Sequence, residues 1–219
     1  MNASVKLGIV LLLSLEISFT KSISLNCLLV ISSLIYLLGK KINLKNFIYT
    51  ACIPLLPAFG SWSSIYFYGT GDNHHMAWVM FSRIFAYVWL GATLTLTTHI
   101  DEILKALEQN VKLPNTFVYG MLAAFNFIPK IGQEIKTIKI AAQMRGVTLH
   151  FWSPQIFFKA ILTSLRWSNN LAQAMTSHGF SEGAPRTYYQ VMPIPTWNMG
   201  VALCIILIVQ LYLMYPLWP

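Results

Sequence analysis

The stretch I-G-Q-E-I-K-T-I-K-I-A-A-Q-M-R-G-V, residues 131–147, decides how the rest of this chain is read. Its apolar side chains Ile131, Ile135, Ile138 and Ala142 recur in steps of four, three and four, with Lys130, Glu134 and Lys139 around them. That spacing predicts an amphipathic helix. The helix should stop at Gly146, because glycine accepts the left-handed backbone that closes a helix. Arg145, just before the stop, suits the negative end of the helix dipole. Thirty-three residues later, A-M-T-S-H-G-F at 174–180 repeats the arrangement of alanine, three residues, a basic or potentially basic side chain, and glycine. Ordinary capping accounts for both ends. An exposed arginine at a helix tip does more, since its rigid fork of donors suits a carboxylate on another protein. Ala141 and Ala174, one turn back, remove bulk where a second surface would approach. His178 serves as donor, acceptor or partly charged contact but does not copy the fork of Arg145.

Around these polar ends the chain is greasy. It has 219 residues, of which 56% are hydrophobic and 10% charged, against about 25% charged in a soluble domain. Mean hydropathy is +0.58. An all-α integral membrane protein is expected, with about five transmembrane helices near 5–20, 22–39, 46–68, 76–98 and 199–215. The first is read as a retained span, because Glu16 interrupts it and no small-x-small cleavage site follows. Pro54 and Pro57 are tolerable in the third if neighbours satisfy the freed carbonyls. Lys40, Lys41 and Lys45 mark one side as cytoplasmic; Asp72, His74 and His75 lie on the other. The N-terminus is then cytoplasmic and the C-terminus extracytoplasmic. Residues 100–198 fall inside, with nine Lys/Arg against five Asp/Glu, a balance of +4. The chain thus divides into N-terminal membrane helices (1–98), a cytoplasmic region of long amphipathic helices (99–198) and a C-terminal membrane helix (199–219).

Within the cytoplasmic region a second helix carries Phe157, Ile161, Leu165, Ala172 and Met175 on one stripe, with Lys159, Arg166 and Asn170 off it. Asp101 opens a shorter helix, and Pro114, Pro129 and Pro154 stand where helices should begin. Cys27, Cys52 and Cys204 lack metal-ligand spacing and read as buried free thiols. His74 and His75 beside Asp72 are weak grounds for a metal. Glu16 and Arg83 within apolar segments read as polar helix contacts or interface residues. Trp62, Trp78, Trp89, Trp152, Trp197 and Trp218 suit bilayer interfaces. The net charge of +8 is explained by orientation and anionic lipid rather than nucleic acid. The chain has no G-x-x-x-x-G-K-[S/T] cradle, so nucleotide hydrolysis would have to come from partners. A membrane enzyme would draw on His99, Asp101, Glu102, Glu134 and His150, but these form no zinc-protease, paired-carboxylate or nucleophile signature. A self-sufficient transporter would be expected to show internal repeats, and none is visible. No cofactor and no metal are expected.

Further pieces fall in order along 95–189: T-T-H-I-D-E-I-L-K-A-L-E (97–108), K-L-P (112–114), F-N-F-I-P-K-I-G-Q-E-I (125–135), A-A-Q-M-R-G (141–146), L-T-S-L-R-W-S-N-N-L-A-Q-A-M-T-S-H-G-F (162–180) and R-T-Y (186–188). This ordered set resembles the transmembrane T component of energy-coupling factor transporters, the family of cobalt and biotin transport permeases. V-K-L at 5–7 and Arg83 fit it less specifically. The resemblance implies a non-catalytic subunit of an ATP-driven importer in a prokaryotic cell membrane. Its partners would be two ATP-binding cassette ATPases (identical, different or fused) and a small membrane-embedded substrate-binding S component. The cargo would be a vitamin, a vitamin precursor or a metal ion. It also implies that the arginine of each Ala-x-x-x-Arg-Gly motif fits a groove on one ATPase. Ala141, Arg145 and Gly146 match the first motif; Ala174, His178 and Gly179 match the second, except that histidine replaces arginine. Ile131, Ile135, Phe157, Ile161 and Leu165 would then form a greasy platform on which the S component tilts, unless they pack against this chain's own membrane segments.

Overall fold

The computed structural model describes residues 1–40, 44–69, 71–150, 152–184 and 187–214. Lys41 and Trp218, given roles above, and Arg186 of the R-T-Y piece lie outside the described residues. All regular structure among the described residues is helical. In chain order the helices are α1 (Ala3–Phe19), α2 (Ile23–Gly39), α3 (Leu44–Cys52), α4 (Leu55–Tyr68), α5 (Asn73–Thr95), α6 (Ile100–Val111), α7 (Asn115–Gln143), α8 (Pro154–Ser177) and α9 (Thr196–Met214). They form two compact units, Met1–Val111 with Met192–Pro219, and Lys112–Val191.

The first unit is a bundle in which α2 and α4 pack on α5, and α1 packs on α5, α6 and α9. Its core joins Ile9, Leu13 and Ile17 of α1 with Leu25 and Leu29 of α2, Ala86 and Leu90 of α5, and Val209 of α9. The buried positions step by four along α1 and α2, which is the seam of a packed helix. The opposite faces are no more polar: Leu11, Leu12, Leu15, Ile31 and Ile35 are all exposed. Helices apolar on every side suit a lipid surrounding. The three cysteines follow the same logic. They were expected to be buried, yet all are free and exposed, because apolar surroundings here include the outside of the bundle.

Two helices, Asn73–Thr95 and Thr196–Met214, are long and apolar enough to cross a membrane, and Ile23–Gly39 is a shorter apolar helix. The expected five full-length spans are therefore only partly met. Helices α1 and α2 have 17 residues each, or about 26 Å of rise. The third expected span is not one helix: it breaks between Cys52 and Leu55. Pro54, which has no N–H to continue the ladder, sits at the N-cap of α4. That leaves α4 only 14 residues, about 21 Å.

Polar side chains of this bundle are spent on ties between helices. Asn26, fully buried, donates from Nδ2 to Ser82 Oγ at 3.0 Å and to the Val79 carbonyl at 3.4 Å, joining α2 to α5. Gln210 Nε2 donates to Glu16 Oε1 at 2.8 Å, joining α9 to α1. The Arg83 guanidinium donates to the Thr20 carbonyl at the end of α1. Each such bond between membrane helices contributes roughly 0.6 kcal/mol. Trp62 of α4 lies 6.1 Å, centroid to centroid, from Trp78 of α5 and stacks on Tyr66 at 5.0 Å.

The second unit is built on α7 and α8, of 29 and 24 residues. They run antiparallel along their length: Tyr119 near the start of α7 meets Phe180 beyond the end of α8 at 5.9 Å, and Phe127 meets Trp167 at 5.8 Å. Pro154 occupies the first turn of α8 and Pro114 the N-cap of α7, as expected. Pro129 does not begin a helix. It lies inside α7, where it removes the bond to the Phe125 carbonyl and favours a bend.

Candidate docking tips and the cleft behind them

Both long helices end in the same hydrogen-bonded closure. At the end of α7, Gly146 N–H donates to the Gln143 carbonyl at 2.9 Å and Val147 N–H to the Ala142 carbonyl at 3.0 Å. At the end of α8, Gly179 N–H donates to the Thr176 carbonyl at 3.0 Å and Phe180 N–H to the Met175 carbonyl at 2.9 Å. These are paired Schellman closures, which need a left-handed residue at the glycine. Gly146 has φ +75° and Gly179 φ +81°. A Cβ at either position would meet nothing within 4 Å, so backbone geometry rather than crowding calls for glycine.

The closure sets Arg145 and His178 in equivalent places, one residue before each glycine. Both are exposed, as are Ala141, Ala174 and the two glycines. Among the described residues no hydrogen bond or ion pair occupies the Arg145 guanidinium or the His178 ring. Each tip adjoins a hollow. One of about 360 Å³ has Ala141, Arg145, Glu134 and Lys159 in its wall; the other, about 520 Å³, has Ala174, His178, Gly179 and Phe180. Lys130 Nζ lies 5.9 Å from the Phe127 ring centroid. Because α7 and α8 are antiparallel, the tips lie at opposite ends of the pair, about 35 Å apart by helix rise.

Between the tips the helices enclose a cleft of about 640 Å³. Of the five residues expected to form a platform, Ile131, Ile161 and Leu165 line it. Ile135 and Phe157 do not; Ile135 is half-buried and Phe157 is 45% exposed. Small residues open the cleft: Gly120 and Ala124 on α7, and Ser164, Ser168 and the stripe residue Ala172 on α8. They stand four apart on each helix, the spacing that lets helices or a third partner approach closely. Elsewhere, His75 Nε2 lies 3.2 Å from the Lys21 carbonyl and His74 packs edge-on to Tyr66. Among the described residues no group of three or more His, Cys, Asp or Glu side chains is placed to hold a metal.

These features define a helical membrane protein in which one compact unit is an apolar bundle and the other a pair of long helices ending in exposed basic tips. The chain belongs to the CbiQ family, described as cobalt transport protein, which it matches over residues 2–189. It is 28% identical over 161 residues to the energy-coupling factor transporter transmembrane protein EcfT of Limosilactobacillus fermentum (strain CECT 5716 / Lc40). That match takes in 64% of this chain and spans 58% of the relative's length.

Proposed function

We propose that this chain is the membrane scaffold and coupling subunit of an ATP-driven importer, which itself catalyses nothing. Two ATP-binding cassette subunits hydrolyse nucleotide, and a small membrane-embedded S component binds a vitamin, vitamin precursor or metal ion. The observation that carries this reading is the pair of matching glycine-closed tips on α7 and α8, in a chain of a transport family. Arg145 and His178 dock in one socket on each ATPase, with Ala141 and Ala174 giving the socket wall room to approach. When the ATPases close, the sockets move and the antiparallel helices slide or splay between them. Ile131, Ile135, Phe157, Ile161 and Leu165 pass that movement to the S component.

In this reading the protein crosses a prokaryotic cell membrane about five times, with α3 and α4 together making the third crossing. The N-terminus and residues 99–198 lie on the cytoplasmic side, and the C-terminus lies outside. The test is reconstitution in vesicles. The chain alone should hydrolyse no ATP and move no solute. With an ATPase pair and an S component it should support ATP-dependent uptake of what the S component binds. Transport by the chain alone would reject the coupling role.

A further inference from the structure

We propose that the cleft between α1, α2, α5 and α9 holds one anionic phospholipid, gripped at its headgroup by Lys6. The cleft has a volume of about 350 Å³. Its walls change character along the helices. Lys6, Tyr36 and Thr93 line one end, and Leu13, Leu29 and Val209 line the remainder. From Lys6 to Leu13 is about 10 Å along α1, so the polar end opens onto a strip that suits an acyl chain.

The polar end carries a charge without an answering one. The Lys6 ammonium donates to Thr97 Oγ1 at 3.2 Å and Thr98 Oγ1 at 3.0 Å. Both acceptors are neutral, and an ammonium has a further donor to give. Among the described residues no carboxylate pairs with Lys6, although it is half-buried at the end of an apolar helix. A cation so placed lacks an anion. Lys40, one turn beyond Tyr36 on the same face of α2, adds positive charge at that end. An anionic phospholipid supplies what is missing at both ends of the cleft: a phosphate for Lys6, and a chain for Leu13, Leu29 and Val209. Free phosphate lacks the chain, and a zwitterionic lipid brings its own cation toward the two lysines. Basic pockets between membrane helices bind anionic headgroups on the same physical grounds. That the bound lipid belongs to the inner leaflet rests on the orientation proposed above; the site itself does not.

The experiment is native mass spectrometry and thermal unfolding of the full chain in neutral detergent. Phosphatidylglycerol, phosphatidylcholine, diacylglycerol and glycerol 3-phosphate are added separately. We expect one phosphatidylglycerol per chain, retained about ten-fold or more over phosphatidylcholine, with a higher unfolding temperature. Diacylglycerol and glycerol 3-phosphate should give neither effect. Lys6→Met should abolish the preference, Lys6→Arg should keep it, and Val209→Trp should displace the lipid by filling the cleft. Equal retention of the two phospholipids would overturn the proposal. So would an undiminished preference in Lys6→Met, or binding of glycerol 3-phosphate as strong as that of the lipid. If Lys6→Met does not fold, Lys6→Arg with Val209→Trp decides the matter: the lipid must stay in the first and leave the second. No ATPase takes part, so failure here leaves the coupling reading untouched, and failure of coupling leaves this site untouched.

Discussion

Arg145 and His178 are placed by their neighbours more than by themselves. A left-handed glycine closes each helix and turns the preceding side chain outward, so tip and closure are one device. Replacing Arg145 with glutamate should therefore leave membrane insertion intact while weakening ATPase capture by about 2–5 kcal/mol, or roughly thirty-fold to several thousand-fold. Co-purification and titration in detergent would measure it. His178→Arg should tighten assembly about ten-fold, since a charge-assisted fork replaces a weaker contact; loss of uptake instead would mean a socket shaped for imidazole. Gly146→Val should cost about 1–2 kcal/mol of backbone strain, lower the thermal stability of the chain and weaken capture, whereas Gly146→Asn should be nearly silent because asparagine tolerates the left-handed region. These tips were legible in sequence because a helical period and a terminal glycine are local signals. The small residues lining the cleft, Ala172 apart, carry no such local signal, since their role appears only when two helices are set side by side.

At the scale of elements, local pattern gave the helices and failed at their interruptions. The alternation of apolar and charged residues placed α8 and the second half of α7, but not the stretch of α7 before Pro129. Proline was ambiguous. Pro154 begins α8 and Pro129 lies within α7, though both precede a lysine-bearing apolar stripe. Pro54 breaks what hydropathy alone reads as a single span, because hydropathy counts side chains and ignores a missing N–H. Pro129→Ala should restore the ladder bond at Phe125 and stabilise α7 locally by about 3 kcal/mol. Slower amide exchange across 125–135 would report it. If bending of α7 is part of coupling, uptake by the assembled importer should fall while ATPase capture stays intact. Unchanged exchange would mean the helix is already held rigid by α8.

For the whole molecule, composition announced a membrane chain, and the charge asymmetry suggested a sidedness. Neither says which face of a greasy helix meets a neighbour, because the inner and outer faces of the bundle are equally apolar. The cysteines, expected inside, are exposed for that reason. Cys27 on α2, Cys52 at the end of α3 and Cys204 on α9 are native thiols on three different helices, open on the outside of the protein. They amount to a built-in depth gauge. In vesicles an oil-soluble maleimide should label Cys204, midway along α9, far faster than its sulfonated, water-bound counterpart. The ratio of the two rates should fall at Cys52, beside a helix break. A flat ratio across the three would place those helices at one common level in the bilayer, and the immersion of this protein could then be measured without introducing a single new side chain.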